Sequence, residues 1–402
     1  MRGRDDSEKK SGQALHFVIQ VFQKKLGLQI ALALVGIQSP VVSNSDLLQT
    51  FTYFRLMDSL THIALGAIIG EAYAGKELGK RAMVIGALAQ TLPDIDFIQS
   101  FWLSPVDDLL AHRGFAHSIL FGTVVSMLLG IAATRWGRPT SITTKRWTLF
   151  FAIEISVHLL LDAFNNYGIG WFEPFSHVRI SFDIIFVADP FFSIWPAVAC
   201  IALLILYSTA PARRHWIRLS LILSTFYLVY ALYNKSIIER EVRKSLHDQG
   251  ILYTRLLTTP TPLNNWLWYV VAEVDSGYYV GYRSVFDNPD RMDLHYFPRL
   301  ASRLTRVNAR EDANELLRFS KGYYTVETQH DTLVFNDLRF GQITGWSDPQ
   351  GKFAFHYYLN HPEANAFLVQ RGRFANWNKA TVCVLIRRIA GMSPVAEHSA
   401  TR

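Results

Sequence analysis

Long apolar segments alternate with short polar loops in the first half of the chain. Six apolar segments are predicted to be helical, at 60–73, 82–101, 115–134, 147–165, 190–207 and 216–234. An α-helix needs about 20 residues to cross a bilayer, so most of these segments are long enough, whereas the first is expected to be partly interfacial. The pattern predicts a mainly α fold with a polytopic transmembrane helical domain over residues 57–234.

Residues 235–390 follow a different pattern. The charged linker Lys235–Asp248 and the segment Ala309–Phe319 are predicted to be helices. Predicted strands, rich in Tyr, Val and Phe with turn residues between them, are Trp268–Tyr282, Gly322–Glu327, Thr332–Phe335, Phe340–Trp346 and Phe353–Tyr358. We expect a small soluble α+β domain here and a disordered tail over 391–402.

Residues 1–56 form an N-terminal extension with two interpretations. Basic residues precede an apolar run from Leu26 to Val42, a pattern that resembles a signal or anchor segment. The alternative, which we prefer, is a mis-assigned start with Met57 as the initiator, because recognisable sequence begins at Met57.

Composition agrees with a membrane protein that has a soluble portion. Of 402 residues, 50% are hydrophobic and only 18% are charged, and the mean hydropathy is positive. Cys200 and Cys383 lie far apart and form neither a zinc motif nor a disulfide framework. We identify no P-loop, dinucleotide fingerprint or Gly-x-Ser-x-Gly motif.

The positive charge follows the loops in alternation. Loops 74–81, 135–146 and 208–218 carry ten Lys and Arg residues, whereas loops 102–114 and 166–189 carry only Arg113 and Arg179. Basic loops face the cytoplasm, so we expect a multi-pass membrane protein with an extracytoplasmic C-terminal domain. The net charge of +7 is therefore a topology signal, and the lipid bilayer rather than nucleic acid is the expected partner.

His and Asp residues cluster at the ends of the segments that this topology turns outward. The clusters are Asp58-Ser-Leu-Thr-His62, Pro93-Asp94-Ile-Asp96, His112-Arg-Gly-Phe-Ala-His117-Ser118 and His158-Leu-Leu-Leu-Asp162. An ionisable group at the bilayer centre costs about 3 kcal/mol or more, so such groups indicate function or an interfacial position. Their common placement predicts one polar site assembled from several helices.

Each cluster also has a structural interpretation. His158 and Asp162 share one helix face and are good ligands for zinc or manganese, or they join helices through a hydrogen bond. Pro93 places Asp94 and Asp96 on irregular backbone, which suits a wet cavity or a simple helix break.

The remaining candidates are polar groups near the same end. Arg113 could grip a phosphate or snorkel to the interface, and Ser118 could contact a ligand or cap a helix. Asp189, followed by Pro190, fits a helix N-cap or a role in the site. Glu154 lies one turn deeper than His158, as a second-sphere group or helix contact.

At these motifs the chain resembles the YdjM-like family of bacterial inner-membrane metal-dependent hydrolases, a family connected with LexA regulation. The matching pieces, which span about 57–234, are the four clusters together with Asn166-Tyr-Gly168 and Asp189-Pro190. The family is distantly similar to zinc-dependent phospholipase C and the P1-type nucleases. By that resemblance the metal ligands would be His62, Asp94, His117, His158 and Asp162, with Asp162 a candidate bridge between metals.

These observations predict a hydrolase that uses one or two divalent ions, zinc or alternatively manganese, on a phosphoester in a lipid or lipid-linked substrate. Asp96 or Asp94 is a candidate general base, and His112 and Arg113 would position the substrate anion. Candidate substrate-binding residues are Arg113, Ser118, Asn166 and Asp189. The alternatives are a metal or proton transporter, and a structural or regulatory membrane protein in which a metal braces the helices.

Overall fold

The computed structural model describes residues 44–136, 141–288, 292–306, 310–329, 332–359, 374 and 377–392. Both the predicted anchor run Leu26–Val42 and most of the predicted tail, 393–402, lie outside the described residues. The first part of the described chain is helical and the second part contains two sheets. The prediction of a mainly helical protein with a small sheet-containing domain is confirmed.

The helices of the first part follow most of the predicted apolar segments. They are α1 Asn44–Leu78, α2 Arg81–Gln90, α3 Pro105–Ala111, α4 Ile119–Trp136, α5 Thr144–Ala163, α6 Pro190–Ile205 and α7 Ala212–Asp248. Short 3-10 helices occupy Pro93–Phe101 and Phe115–His117. The sixth apolar segment and the charged linker form one continuous helix, α7.

The predicted segment 82–101 is not one helix. The α-helical part, α2, ends at Gln90, and the chain continues as a 3-10 helix from Pro93. Proline lacks an amide hydrogen and clashes with the preceding turn, so it is favoured in the first turn of a helix and disfavoured in the interior. The break places Asp94 and Asp96 in the first turn of the 3-10 helix.

Among the described residues, α4 and α7 are long and apolar enough to cross a membrane by length and composition, and α6 is apolar but shorter. Large side chains on α4, including Val124, Leu128 and Ile131, are exposed, as expected for a surface that faces lipid. The predicted six-pass arrangement stays a prediction.

The sheet-containing part has two antiparallel sheets. The strands are β1 Arg255–Pro260, β2 Leu267–Val274, β3 Gly277–Ser284, β4 Leu294–Pro298, β5 Tyr324–Gln329, β6 Thr332–Gln342 and β7 Phe353–Tyr358. The first four form one sheet in sequence order and the last three form the other. Helix α8 spans Arg310–Phe319, close to its prediction, and α9 spans Lys379–Ile389.

Several strand predictions were wrong in detail. The predicted strand Trp268–Tyr282 is a hairpin of β2 and β3, which pair from Val274 and Gly277 onward. The two predicted strands within 332–346 are one strand, β6, with a register irregularity between Asp337 and Gln342. The turn-forming residues Asp275 and Ser276 lie between the two Tyr- and Val-rich arms, and the prediction of one strand overlooked this signal.

The sheets pack directly on the helices. Ile238, Val242 and Leu246 of α7 share a buried core with Trp268 and Val270 of the first sheet. Near the predicted outer end, Val106 of α3 is buried in the core of the second sheet, with Phe319 and Phe335. The C-terminal domain therefore contacts the short helix that precedes the His112–His117 segment.

Candidate metal centre

The predicted ligands come from four separate elements and meet in one place. Helix α1 contributes His62, the 3-10 helix Pro93–Phe101 contributes Asp94, and the 3-10 turn Phe115–His117 contributes His117. The remaining two, His158 and Asp162, lie one turn apart on α5, so both side chains leave the same helix face.

Four donor atoms form a compact cage. The Nε2 atoms of His117 and His158 are 3.1 Å apart. Each Nε2 atom lies 3.6 Å from Asp94 Oδ1, and Asp162 Oδ2 lies 3.2 Å from His117 Nε2 and 3.4 Å from that of His158. The four residues place one ligand atom each within 4.8 Å of all the others.

These distances fit a bound cation. In tetrahedral coordination, N and O ligands about 2.0–2.1 Å from zinc lie about 3.3–3.4 Å from one another, and the separations given above, from 3.1 to 3.6 Å, bracket that value. Asp162 Oδ2 is buried with no hydrogen-bond partner. A buried carboxylate oxygen that faces two imidazole nitrogens is satisfied by a shared cation. The donor set therefore fits a divalent metal ion.

His62 borders the cage on the α1 side. Its Nε2 atom lies 3.4 Å from Asp162 Oδ1, the oxygen that points away from the two other histidines. Its ring is tilted against that of His158, with centroids 4.0 Å apart. His62 therefore lies beside the four-residue cage, within ion-pair distance of the second oxygen of Asp162, and its predicted role as a metal ligand stays a prediction.

Asp96 lies behind His117 rather than in the cage. Its carboxylate is 3.2 Å from His117 Nδ1 and 3.2 Å from His112 Nδ1, and it accepts a 2.7 Å hydrogen bond from the backbone amide of Arg113. A carboxylate on the far nitrogen of a ligating histidine fixes the ring orientation and its tautomer. This contact places Asp96 behind a ligating histidine, and its predicted role as a general base stays a prediction.

Arg113 is buried and engaged with protein groups. Its guanidinium lies 3.0 Å from Asp162 Oδ1 and donates a 2.9 Å hydrogen bond to Asn165 Oδ1. The turn is made by Arg113 itself, at φ 58°, while Gly114 has φ −88°. The guanidinium of Arg113 thus contacts Asp162 and Asn165, and its predicted contact with a substrate anion stays a prediction.

The helical part matches a known family. Residues 57–238 match the model described as YdjM inner membrane protein. Inner membrane protein YbcI of Escherichia coli (strain K12) is 32% identical over 122 residues, which are 30% of this chain and 69% of that protein. The chain belongs to the YdjM inner membrane protein family.

Membership of the YdjM family supports localisation in the inner membrane and confirms the YdjM part of the resemblance, whereas the similarity to zinc-dependent phospholipase C and P1-type nucleases stays a prediction. The uncharacterized protein YfhP of Bacillus subtilis (strain 168) is 29% identical over 301 residues, which are 71% of this chain and 87% of that protein. An alignment of this length extends beyond the matched family segment into the C-terminal domain. No solved structure matches the chain.

Three predicted substrate-binding residues have structural partners instead. Ser118 Oγ accepts from the amide of Phe121 at the start of α4. The carboxylate of Asp189 caps α6 and accepts from the Tyr227 hydroxyl at 2.8 Å. Asn166 donates to the backbone carbonyl of Arg339 at 2.8 Å. These contacts explain the three residues without a ligand.

Sequence reasoning missed the groups that surround Arg113. Asn165 accepts from Arg113, and the ring of Tyr167 lies beneath its guanidinium at 5.4 Å. Arg179 donates to the backbone carbonyls of Leu110, His112 and Gly168. Asn165 precedes the family motif Asn166-Tyr-Gly168 and Tyr167 lies within it, so the motif was a signal for both residues, whereas nothing near Arg179 in the sequence indicates its partners.

Proposed function

We propose that this chain is a membrane-embedded, metal-dependent hydrolase that acts on a phosphoester in a lipid or lipid-linked substrate. The observation that carries the proposal is the cage of two imidazole nitrogens and two carboxylate oxygens on three elements. Mixed N and O donors at these separations favour zinc over the larger, oxygen-seeking cations, with manganese as the second choice. The cage accounts for one ion.

The surrounding residues have distinct tasks in this proposal. A divalent ion would supply Lewis acidity that activates water and polarises the ester. Asp96 orients His117, and Arg113 offsets the charge of Asp162. The ring of His112 is partly exposed, and its Nδ1 atom lies 3.2 Å from Asp96 Oδ1. When the proton is on Nδ1, the Nε2 atom is available to accept or return a proton.

The surroundings of Asp94 favour a lipid substrate. Its side chain is 27% exposed, whereas those of His117, His158 and Asp162 are at most 1% exposed, so the cage opens on the Asp94 side. The same 3-10 helix exposes Ile95, Phe97 and Ile98. An apolar rim suits a molecule whose phosphoester reaches the cage while its acyl chains stay in the bilayer.

The experiment that tests the proposal is metal analysis of detergent-purified protein by mass spectrometry. We expect about one equivalent of zinc or manganese in the wild type, and its loss in His158→Ala/Asp162→Ala. The matched control is Glu173→Ala/His177→Ala, which removes another acid–histidine pair four residues apart, joined at 2.8 Å away from the cage. A folded wild type that takes up no metal would contradict the proposal; metal uptake justifies a screen of phosphodiester and phospholipid substrates.

Transport of a metal ion or proton is the second candidate, and Glu154 is the observation that favours it. Glu154 is fully buried on α5, one turn before His158. When the Gln90 side-chain amide is oriented to donate, its nitrogen lies 2.6 Å from the Glu154 carboxylate. Buried acids inside a bilayer commonly mark ion paths. Radiometal flux into proteoliposomes that is lost in Glu154→Gln, without phosphoesterase activity, would select transport.

A further inference from the structure

The C-terminal domain meets the metal centre at the loop that follows Asp162. We propose that this domain positions the centre through a buried chain of polar contacts, an inference that rests on the proposed metal site. The members of the chain, in order, are Asp337, Arg339, Asn166, Asn165, Arg113 and Asp162. Asp337 and Arg339 belong to β6, about 170 residues beyond α5 in sequence. Arg113 is the member that contacts the cage, through Asp162.

The chain begins with a buried ion pair on β6. Arg339 Nη2 lies 2.6 Å from Asp337 Oδ2, and the arginine is 1% exposed. Its guanidinium lies 4.7 Å from the centroid of the Phe319 ring and 5.2 Å from that of Phe340. A buried ion pair adds little net stability because desolvation offsets the attraction between the charges. In this proposal the role of the pair is to fix the geometry of this part of β6.

Arg339 and Asn166, in the loop after α5, are connected by two hydrogen bonds, one donated by each residue. The side-chain amide of Asn166 donates to the Arg339 carbonyl at 2.8 Å, and Arg339 Nη1 donates to the Asn166 carbonyl at 3.4 Å. The next residue, Tyr167, packs its ring edge-on against Phe340 at 4.7 Å. The loop backbone is thereby fixed to the second sheet.

The same loop contacts Arg113, which in turn contacts a residue of the cage. Asn165 Oδ1 accepts from Arg113 Nη1 and from the amide of Tyr167. Arg113 in turn contacts the Asp162 carboxylate at 3.0 Å. Asp162 therefore keeps the direction of its two oxygens only while the loop and the guanidinium stay in place.

A second set of contacts acts on the same region. Arg179 holds the carbonyls of Leu110 and His112, and its guanidinium lies 5.8 Å from the Phe319 ring of α8. Val106, two turns before His112, is buried in the core of the second sheet. Both sides of the cage, the His112–His117 segment and the end of α5, thus contact the C-terminal domain.

The test is binding of Co²⁺ to the metal-free, detergent-solubilised full chain, followed by its visible absorption. Asn166→Ala removes the hydrogen bond from the Asn166 side chain to the Arg339 carbonyl. Asp337→Leu/Arg339→Met removes both buried charges together, so that neither is left unpaired. The control is Asp287→Leu/Arg388→Met, which removes a bidentate pair of the same domain that does not contact the loop. We expect Co²⁺ affinity to fall about tenfold or more in both test variants, with altered absorption, and to stay unchanged in the control.

The outcomes separate this inference from the proposed function. If the wild type binds Co²⁺ and the two test variants bind it equally well with the same spectrum, positioning by the C-terminal domain is wrong while the metal centre stands. Equal weakening in the control also overturns it, because the effect would then be general destabilisation. If the wild type binds no metal, the proposed function fails and this inference fails with it. Asn166→Ala alone decides the matter should the double variant not fold.

Discussion

Asp94 and Asp96 are separated by one residue, yet they have different surroundings. Asp94 is partly exposed and faces two Nε2 atoms, whereas Asp96 is buried and faces the Nδ1 side of His117. The first position suits a ligand and the second suits a group that orients a ligand. The 3-10 helix that begins at Pro93 turns the two carboxylates to opposite sides of the same imidazole.

The two aspartates should therefore differ in their effect on metal binding. Asp94→Asn removes one donor of the cage, and we expect the metal to be lost. Asp96→Asn keeps the cage and weakens only the orientation of His117, so zinc affinity should fall by about 10- to 100-fold. Competition titration with a zinc indicator measures both. Equal losses in the two variants would contradict this division of roles.

Lys321 gives a pH-dependent prediction. Burial, together with repulsion from Arg339 and Arg179, lowers the pKa of Lys321 to about 8. Because the unfolded chain keeps this proton up to about pH 10.4, it binds more protons than the folded chain between pH 8 and that value. This group therefore makes the free energy of unfolding rise with pH across that window.

The measurement is the thermal midpoint between pH 7 and 10. Lys321→Met should lose the rise that the wild type shows above pH 8, and it should be the more stable of the two at pH 7. The exposed Lys352→Met serves as the control and should follow the wild type. A wild-type profile that coincides with that of Lys321→Met would show that this lysine is not perturbed.

Helix α2 is brought against α1 by small residues. A Cβ atom added at Gly86 would lie 2.1 Å from the Gly66 carbonyl oxygen, and one at Gly70 would lie 2.2 Å from that of Ala82. Glycines that let backbones approach closely are the usual basis of helix contacts in membranes. This crossing positions α2, which leads directly into the 3-10 helix with Asp94.

Gly86→Leu should therefore disturb the metal centre from a distance. We expect lower thermal stability and reduced metal content, because overpacking of even one or two methylenes costs about 1–3 kcal/mol. Leu88→Ala on the exposed side of the same helix is the control. Normal metal content in Gly86→Leu would mean that the crossing does not position Asp94.

The elements differ in how well the sequence predicts them. His158 and Asp162 were predictable as a pair because helical periodicity alone puts them on one face. Strand β1, Arg255–Pro260, was missed because it is a short run that ends in Pro and lacks clear alternation of apolar and polar residues. The contact of Asn166 with Arg339 joins residues 173 positions apart, and no local pattern encodes such a pair.

At the scale of the whole molecule, the alternating loop charge predicts that the C-terminal domain lies on the extracytoplasmic side of the membrane. Cys383 is exposed on α9 and provides a native probe for this orientation. A membrane-impermeant maleimide should label it in intact spheroplasts, because the Lys and Arg residues of loops 74–81, 135–146 and 208–218 favour a cytoplasmic position for those loops. Cys383→Ser should abolish that labelling, since Cys200 lies within α6.

A cysteine on the opposite side completes the experiment. Ser208→Cys, introduced into the Cys383→Ser background in the loop between α6 and α7, should react only after the membrane is permeabilised, since that loop precedes three arginines. Labelling of Cys383 only after permeabilisation would reverse the orientation and move the cage to the cytoplasmic face. The proposed substrate would then have to come from the inner leaflet, because the C-terminal domain and the cage share a single side through the Asn166–Arg339 contact.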